Sequence, residues 1–176
     1  MSSGWNKQEK AAPIVVIALG SNLGNSVELI RQAIDRLKYF SSAPLLVSSL
    51  WQSTPVDCPP GSSDFVNAVV ALQPRPDESP ETLLSKLQAL EKEFGRKPKV
   101  ILNEPRPLDL DLIAFGSESR KTAELTLPHP RAISRRFVLE PLAEIMPNLV
   151  LPGHKKTISE LLRGLNSPER LARVGD

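Results

Sequence analysis

One cysteine, two histidines, two methionines and a single tyrosine are all that 176 residues hold of those types. With Cys58 alone, no disulfide can close within the chain and no multi-cysteine zinc site can form. Aromatic residues make up 5% of the chain, too few for a nucleic-acid surface built from stacked rings. The longest uninterrupted apolar run is residues 14–19 (IVVIAL), whereas a membrane-spanning helix needs about 20. The opening MSSGWNKQEKAAP has no hydrophobic stretch of the ~7–15 residues a secretory signal requires. No repeat of about 20–50 residues occurs, which excludes solenoids and propellers. Charge of one sign is missing too, since 22 basic and 20 acidic side chains leave a net charge of +2. These absences leave the expectation of a cytoplasmic, monomeric globular protein without a membrane or nucleic-acid partner.

Proline is abundant, 17 residues in all, about twice the usual share of ~5%. The prolines fall between the apolar runs and predict long, stiff loops. Apolar residues at 40% and charged residues at 24% fit an ordinary globular domain. The balanced charge conceals a cationic zone. Residues 95–136 carry nine Lys/Arg against five Asp/Glu, which suits a small polyanionic ligand better than a polymer.

Residues 14–19 are short and β-branched and lead into the turn GSNLG, so they predict a first strand. Asn25, three residues before Glu28, is a candidate helix cap. Leu29, Ile30, Ala33, Ile34 and Leu37 then follow at helical spacing. Residues 45–51 and 65–72 predict two more strands, separated by a loop rich in proline and glycine. Ser79-Pro80-Glu81 is a helix start, Leu83, Leu87, Leu90 and Phe94 line one face, and Gly95 is the stop. Residues 108–115 predict the fourth strand. Weaker signals place a short strand near Leu125, a helical turn at 134–140 and a last helix at 157–165. The order β-α-β-β-α-β predicts an α+β, ferredoxin-like core, an antiparallel sheet with its helices packed on one face, plus C-terminal additions. One domain is expected over 13–165, with flexible tails at 1–12 and 166–176.

In Leu108-Asp-Leu-Asp-Leu-Ile113 the strand period sends the leucines to the core and Asp109 and Asp111 together to the other face. Residues i and i+2 lie ~7 Å apart along a strand, so both carboxylates can converge on one small volume. A divalent cation would relieve their repulsion, and Mg2+ is commonly held by one or two carboxylates with phosphate oxygens completing its shell. Alternating Leu and Asp equally suits a one-sided sheet with solvated acids. Arg106 lies just upstream of the pair, and Arg96, Lys97 and Lys99 occupy the preceding loop. Acids faced by arginines are the equipment of phosphoryl transfer, although neither GxxxxGKS nor GxxxxGKT occurs.

The stretch EPRPLDLDLIAFG (104–116), with ALGSNLG (18–24), DFVNAVV (64–70) and LPHPR (127–131), resembles the 6-hydroxymethyl-7,8-dihydropterin pyrophosphokinase family. The likeness runs in order over about residues 14–165. It implies ATP as co-substrate, two Mg2+ ions, and transfer of the β,γ-diphosphate to the pterin hydroxymethyl oxygen with release of AMP. By this resemblance Asp109 and Asp111 hold metal, and together with Arg96 and Arg106 they form the catalytic set. Gln88, Glu91, Arg96, Arg106, Leu112, His129 and Arg135 match ATP-binding positions. Gly20, Thr54, Pro55, Val56, Asn67 and the ring pair Phe65 and Phe137 match the pterin site. Asn103, Pro98 and Pro130 depart from residues common in the family, the first two on the loop expected to close over ATP. Two other readings compete. A metal-dependent nucleotidyltransferase would release inorganic pyrophosphate, and its Gly-Ser turn normally lies near its acidic pair. A β-α-β-β-α-β RNA-binding module would need aromatics on the strand that here carries the two aspartates.

Overall fold

A computed structural model describes residues 12–54, 60–61, 63–97 and 105–175. In chain order its elements are β1 (Val15–Ser21), α1 (Ser26–Leu37), β2 (Leu46–Val47), β3 (Trp51–Ser53), β4 (Phe65–Leu72) and α2 (Pro80–Glu93). They continue with β5 (Asp109–Phe115), β6 (Arg120–Lys121), β7 (Thr126–Leu127), α3 (Arg136–Ile145), α4 (Ile158–Arg163) and β8 (Leu171–Arg173). The main sheet is antiparallel, in the order β5-β1-β4-β3-β8, with β2 paired to another stretch of β4.

The two long helices form as their sequences predict. The Asn25 side chain accepts from the Glu28 amide, and Ile30, Ala33, Ile34 and Leu37 are buried on one face of α1. Ser79 and Thr82 make a reciprocal capping box with Pro80 in the first turn, and Leu83, Leu87 and Leu90 are buried. Both helices pack on one sheet face against Val15, Ile17, Leu19, Ala68, Val70, Leu108, Leu110 and Leu112. Gly95 ends α2 with φ +96°, a conformation that favours glycine.

Three expectations need correction. The strand predicted at 45–51 is two short strands. Ser48 interrupts the ladder with its side chain, its hydroxyl accepting from the Val69 amide at 2.9 Å. The second sheet face is not open along its whole length. Val16, Ala18, Val69, Ile113 and Ala114 pack under Val138, Leu139 and Leu142 of α3 and Ile158 of α4. A register shift between Val16 and Ile17 lets β5 place both Ile113 and Ala114 in this second core. Finally, the tail expected to be loose from residue 166 supplies β8, paired with β3 through Ser53↔Leu171 and Trp51↔Arg173. Edge strands expose unpaired backbone groups, and β8 covers those of β3. No helix among the described residues is long and apolar enough to cross a membrane.

Candidate active site

The sheet register arranges one row of side chains across three strands. Asp109 lies opposite Gly20, and Gly20 opposite Asn67. One pleat further along, Asp111 faces Ala18 and Ala18 faces Val69. Directly opposed residues share a face, so a glycine and an alanine form the floor between the two acids and the asparagine. A Cβ on Gly20 would sit 3.5 Å from the Phe65 ring and 3.6 Å from Asn67 Oδ1. Above this floor opens a cavity of about 380 Å3, lined by side chains from β5, β4, β3, the 129–135 loop and the start of α3. The cavity exists because the α3–α4 layer covers only the far half of the face.

At one side of the cavity the charges interlock. Arg96 Nη1 donates to Asp109 Oδ1 at 2.6 Å and to Glu91 Oε2 at 2.8 Å. Arg106 approaches Asp109 at 3.4 Å, and Arg135 approaches Asp111 at 4.0 Å. Burial pushes the Asp111 carboxyl up from its ordinary value, and the Asp109 and Glu91 charges push the same way against Arg135 and Arg106. For Arg96, burial opposes the cation, but Asp109 and Glu91 outweigh it and raise its pKa. Glu91 is buried behind the pair, and its Oε2 also accepts from the Leu110 amide at 2.8 Å. Burial chiefly, with some help from Asp109, pushes it up to about 6 against the Leu110 and Arg96 hydrogen bonds.

His129 is set by its own turn. Its Nδ1 accepts from the Arg131 amide at 3.2 Å, so the neutral ring carries its proton on Nε2. Burial, Arg135 and Arg131 depress its pKa to about 4. It can therefore donate a hydrogen bond without bringing charge. At the opposite side of the cavity, Asn67 Nδ2 donates to Ser53 Oγ at 2.7 Å. Phe65 and Phe137 line the same space, each with an arginine near its ring, Arg106 at 6.0 Å and Arg135 at 5.3 Å.

The residues expected from the sequence divide clearly. Gly20, Thr54, Phe65, Asn67, Arg96, Arg106, Asp109, Asp111, His129, Arg135 and Phe137 all line the cavity. Gln88 does not; it is exposed on α2. Leu112 is buried among the helices on the other face, where the strand period puts it with Leu108 and Leu110. Glu91 stands one layer behind the cavity and holds Arg96. Pro55 and Val56, like Lys99 and the departures at Pro98 and Asn103, lie outside the described residues. Sequence reasoning missed Ser53, Arg131, Ser134 and Glu169 as lining residues. It also missed Asn22, which clamps the loop that carries Arg106: its backbone N–H donates to the Arg106 carbonyl at 3.1 Å and its Oδ1 accepts from the Arg106 backbone N–H at 2.9 Å.

A sequence model described as 7,8-dihydro-6-hydroxymethylpterin-pyrophosphokinase matches residues 16–147, a span that contains the acid pair, both capped helices and the cavity floor. The chain belongs to this family. The family's reaction is pyrophosphoryl transfer from ATP to hydroxymethyldihydropterin in folate synthesis. A Pseudomonas aeruginosa 2-amino-4-hydroxy-6-hydroxymethyldihydropteridine pyrophosphokinase is 40% identical over 149 residues, 84% of this chain and 89% of that protein. A Pneumocystis carinii folic acid synthesis protein is 42% identical over 141 residues, 78% of this chain but 18% of that much longer protein. A solved Plasmodium falciparum HPPK-DHPS wild-type structure shares the fold with a TM-score of 0.66 at 14% identity. It is matched over 89% of this chain and 42% of that one. The pyrophosphokinase family thus accounts for the α+β architecture of an antiparallel sheet with helices.

Proposed function

We propose that this chain binds 6-hydroxymethyl-7,8-dihydropterin between Phe65 and Phe137 and ATP beside Asp109 and Asp111. It then moves the β,γ-diphosphate from ATP to the pterin hydroxymethyl oxygen. The observation that carries this reading is the pair of neighbouring rows Asp109–Gly20–Asn67 and Asp111–Ala18–Val69, which sets both acids and the Asn67 side chain on one floor. Asn offers both a donor and an acceptor, which suits the alternating edge of a pterin. Two phenyl rings give stacking area without needing polar partners. The order β5-β1-β4-β3 with α1 and α2 on one face reads as a ferredoxin-like core, to which α3, α4 and β8 are C-terminal additions. We read the protein as a cytoplasmic monomer that takes neither nucleic acid nor membrane.

The donor set fits Mg2+. Asp111 is a carboxyl whose charge is disfavoured by burial and by its neighbouring acids, a conflict that a divalent cation removes. Among the described residues no set of three or more His, Cys, Asp and Glu converges on one point, and two carboxylates suffice where phosphate oxygens complete the shell. Asp109 and Asp111 would hold two such ions, which when bound neutralise and orient the triphosphate.

The protein's own groups do the rest. Arg96, anchored through Nη1 by Glu91, has further N–H donors for the transferring group. Arg106, fixed through its backbone by Asn22, and Arg135 set positive charge where negative charge develops. His129 offers a neutral Nε2 donor to a phosphate oxygen. The pterin hydroxyl oxygen bonds to the β-phosphorus, the bond from that phosphorus to the α,β-bridging oxygen breaks, AMP leaves, and the hydroxyl proton passes to solvent. Positioning, rather than a dedicated base, supplies the acceleration.

Incubation with ATP, Mg2+ and the hydroxymethyl pterin should yield AMP, and chelation of Mg2+ should abolish it. Asp109→Asn and Asp111→Asn should each lower kcat on the order of 10²–10³-fold while pterin binding persists. Near-normal turnover in either variant overturns the metal role, and release of inorganic pyrophosphate in place of AMP overturns the reaction assignment.

A further inference from the structure

We propose that the segment around Glu169, beyond the last helix, is a clasp that builds the pterin side of the cavity, with Glu169 its positioning residue. The inference rests on the reading of that side as the pterin site. It concerns residues outside the span that the family match covers, which ends at residue 147.

Helix α3 begins at the cavity with Arg136 and Phe137, yet its N-cap, Arg135, makes no side-chain hydrogen bond and its first turn has no acid. Uncapped amide groups at a helix start need partners. They are met from 33 and 32 residues away: the Arg136 amide donates to Glu169 Oε1 at 3.1 Å and the Phe137 amide to Glu169 Oε2 at 3.3 Å. Ser167 braces the carboxylate through its hydroxyl at 3.2 Å. Arg136 in turn donates through Nη2 to the Leu165 carbonyl at 3.2 Å. The next residue along grips the opposite wall. The Thr54 amide donates to the Arg170 carbonyl at 3.4 Å, and the Arg170 amide to Thr54 Oγ1 at 3.5 Å. From there β8 runs along β3, the strand whose Ser53 hydroxyl holds Asn67. One short segment therefore sets the positions of Phe137, Thr54 and, through Ser53, Asn67. Glu169 itself reaches the cavity wall. The distance between Phe137 and the rest of the pocket decides how well a flat ring is sandwiched, so loosening the clasp should act on pterin before it acts on nucleotide.

The experiment measures pterin affinity in the presence of Mg2+ and a non-hydrolysable ATP analogue, and separately the affinity for that analogue. The full chain is compared with Glu169→Gln and with a variant ending at Leu165. A glutamine has one acceptor oxygen for two amide donors, and loss of one cap bond corresponds to about five- to tenfold. Pterin Kd should rise by that factor in Glu169→Gln and more in the shortened variant, with analogue Kd changed less than twofold. Unchanged pterin affinity in Glu169→Gln, even with a lowered Tm, overturns the clasp, as does an equal loss for pterin and nucleotide. Should the shortened variant fail to fold, Glu169→Gln decides. Wild-type protein that binds no pterin at all instead overturns the reading of the site.

Discussion

Glu91 is the place where fold and site are most tightly joined, and removing its charge alone gives a sharp test. In Glu91→Gln an oxygen remains to accept from the Leu110 amide, but the carboxylate is gone. In the unfolded chain the group titrates at its ordinary 4.5, and in the folded chain at about 6. Below both values Glu91 is protonated in either state, and its burial costs least. As pH rises through this window the unfolded chain ionises first, so the folded state binds more protons and its stability falls; above about 6 the loss is complete. The displacement of roughly 1.5 units, at about 1.4 kcal/mol per unit, amounts to ~2 kcal/mol. Urea unfolding of wild type and Glu91→Gln at about pH 3.5 and pH 7 should therefore show the variant gaining ~2 kcal/mol relative to wild type between the two conditions. Glu91→Leu separates charge from hydrogen bonding. It leaves the buried Leu110 N–H unpaired and should cost about 1–3 kcal/mol more than glutamine at either pH. Identical pH slopes in wild type and Glu91→Gln would mean that burial does not govern this carboxyl.

Two further outcomes concern the reaction. Arg106→Ala should lower kcat on the order of 10³-fold, the lower end for an arginine that stabilises a transferring phosphoryl group, while raising ATP Kd less than tenfold. Equal losses in kcat/KM and binding, with kcat itself unchanged, would assign Arg106 to ground-state binding alone. Gly20→Val should weaken pterin binding at least tenfold and leave nucleotide affinity intact, since its methyl groups extend from a Cβ already 3.5 Å from Phe65 and 3.6 Å from Asn67; isothermal titration with each ligand checks this, and undiminished pterin affinity would show that the ring does not lie over Gly20.

Much of the site was legible because strand periodicity is local. Alternation along residues 108–113 is enough to put Asp109 and Asp111 on one face and, by the same rule, to send Leu112 to the other. Leu112 therefore fails as a cavity contact on the same grounds that make the acids succeed. Gln88 and Glu91, three residues apart on α2, part company because helical position alone cannot say which face meets β5. The β5 strand buries Glu91 against Leu110 and leaves Gln88 in solvent. Ser48 broke the predicted second strand because a serine hydroxyl can replace a backbone ladder group, a choice made only once Val69 is beside it.

Elements whose signals lie within one helical turn or one pleat were readable from the chain alone: β1, α1, β4, α2 and β5, their caps, and the acid pair with its flanking arginines. Whatever depends on register and on distant chain emerged with the folded packing. That includes the small residues Gly20 and Ala18 meeting the acids across a strand, the α3–α4 layer closing half of the second face, and Glu169 returning to cap the helix that carries Phe137. Propensity, capping and amphipathic period act between neighbours in the chain, whereas a cavity is the space left after strands far apart in sequence have been brought into contact.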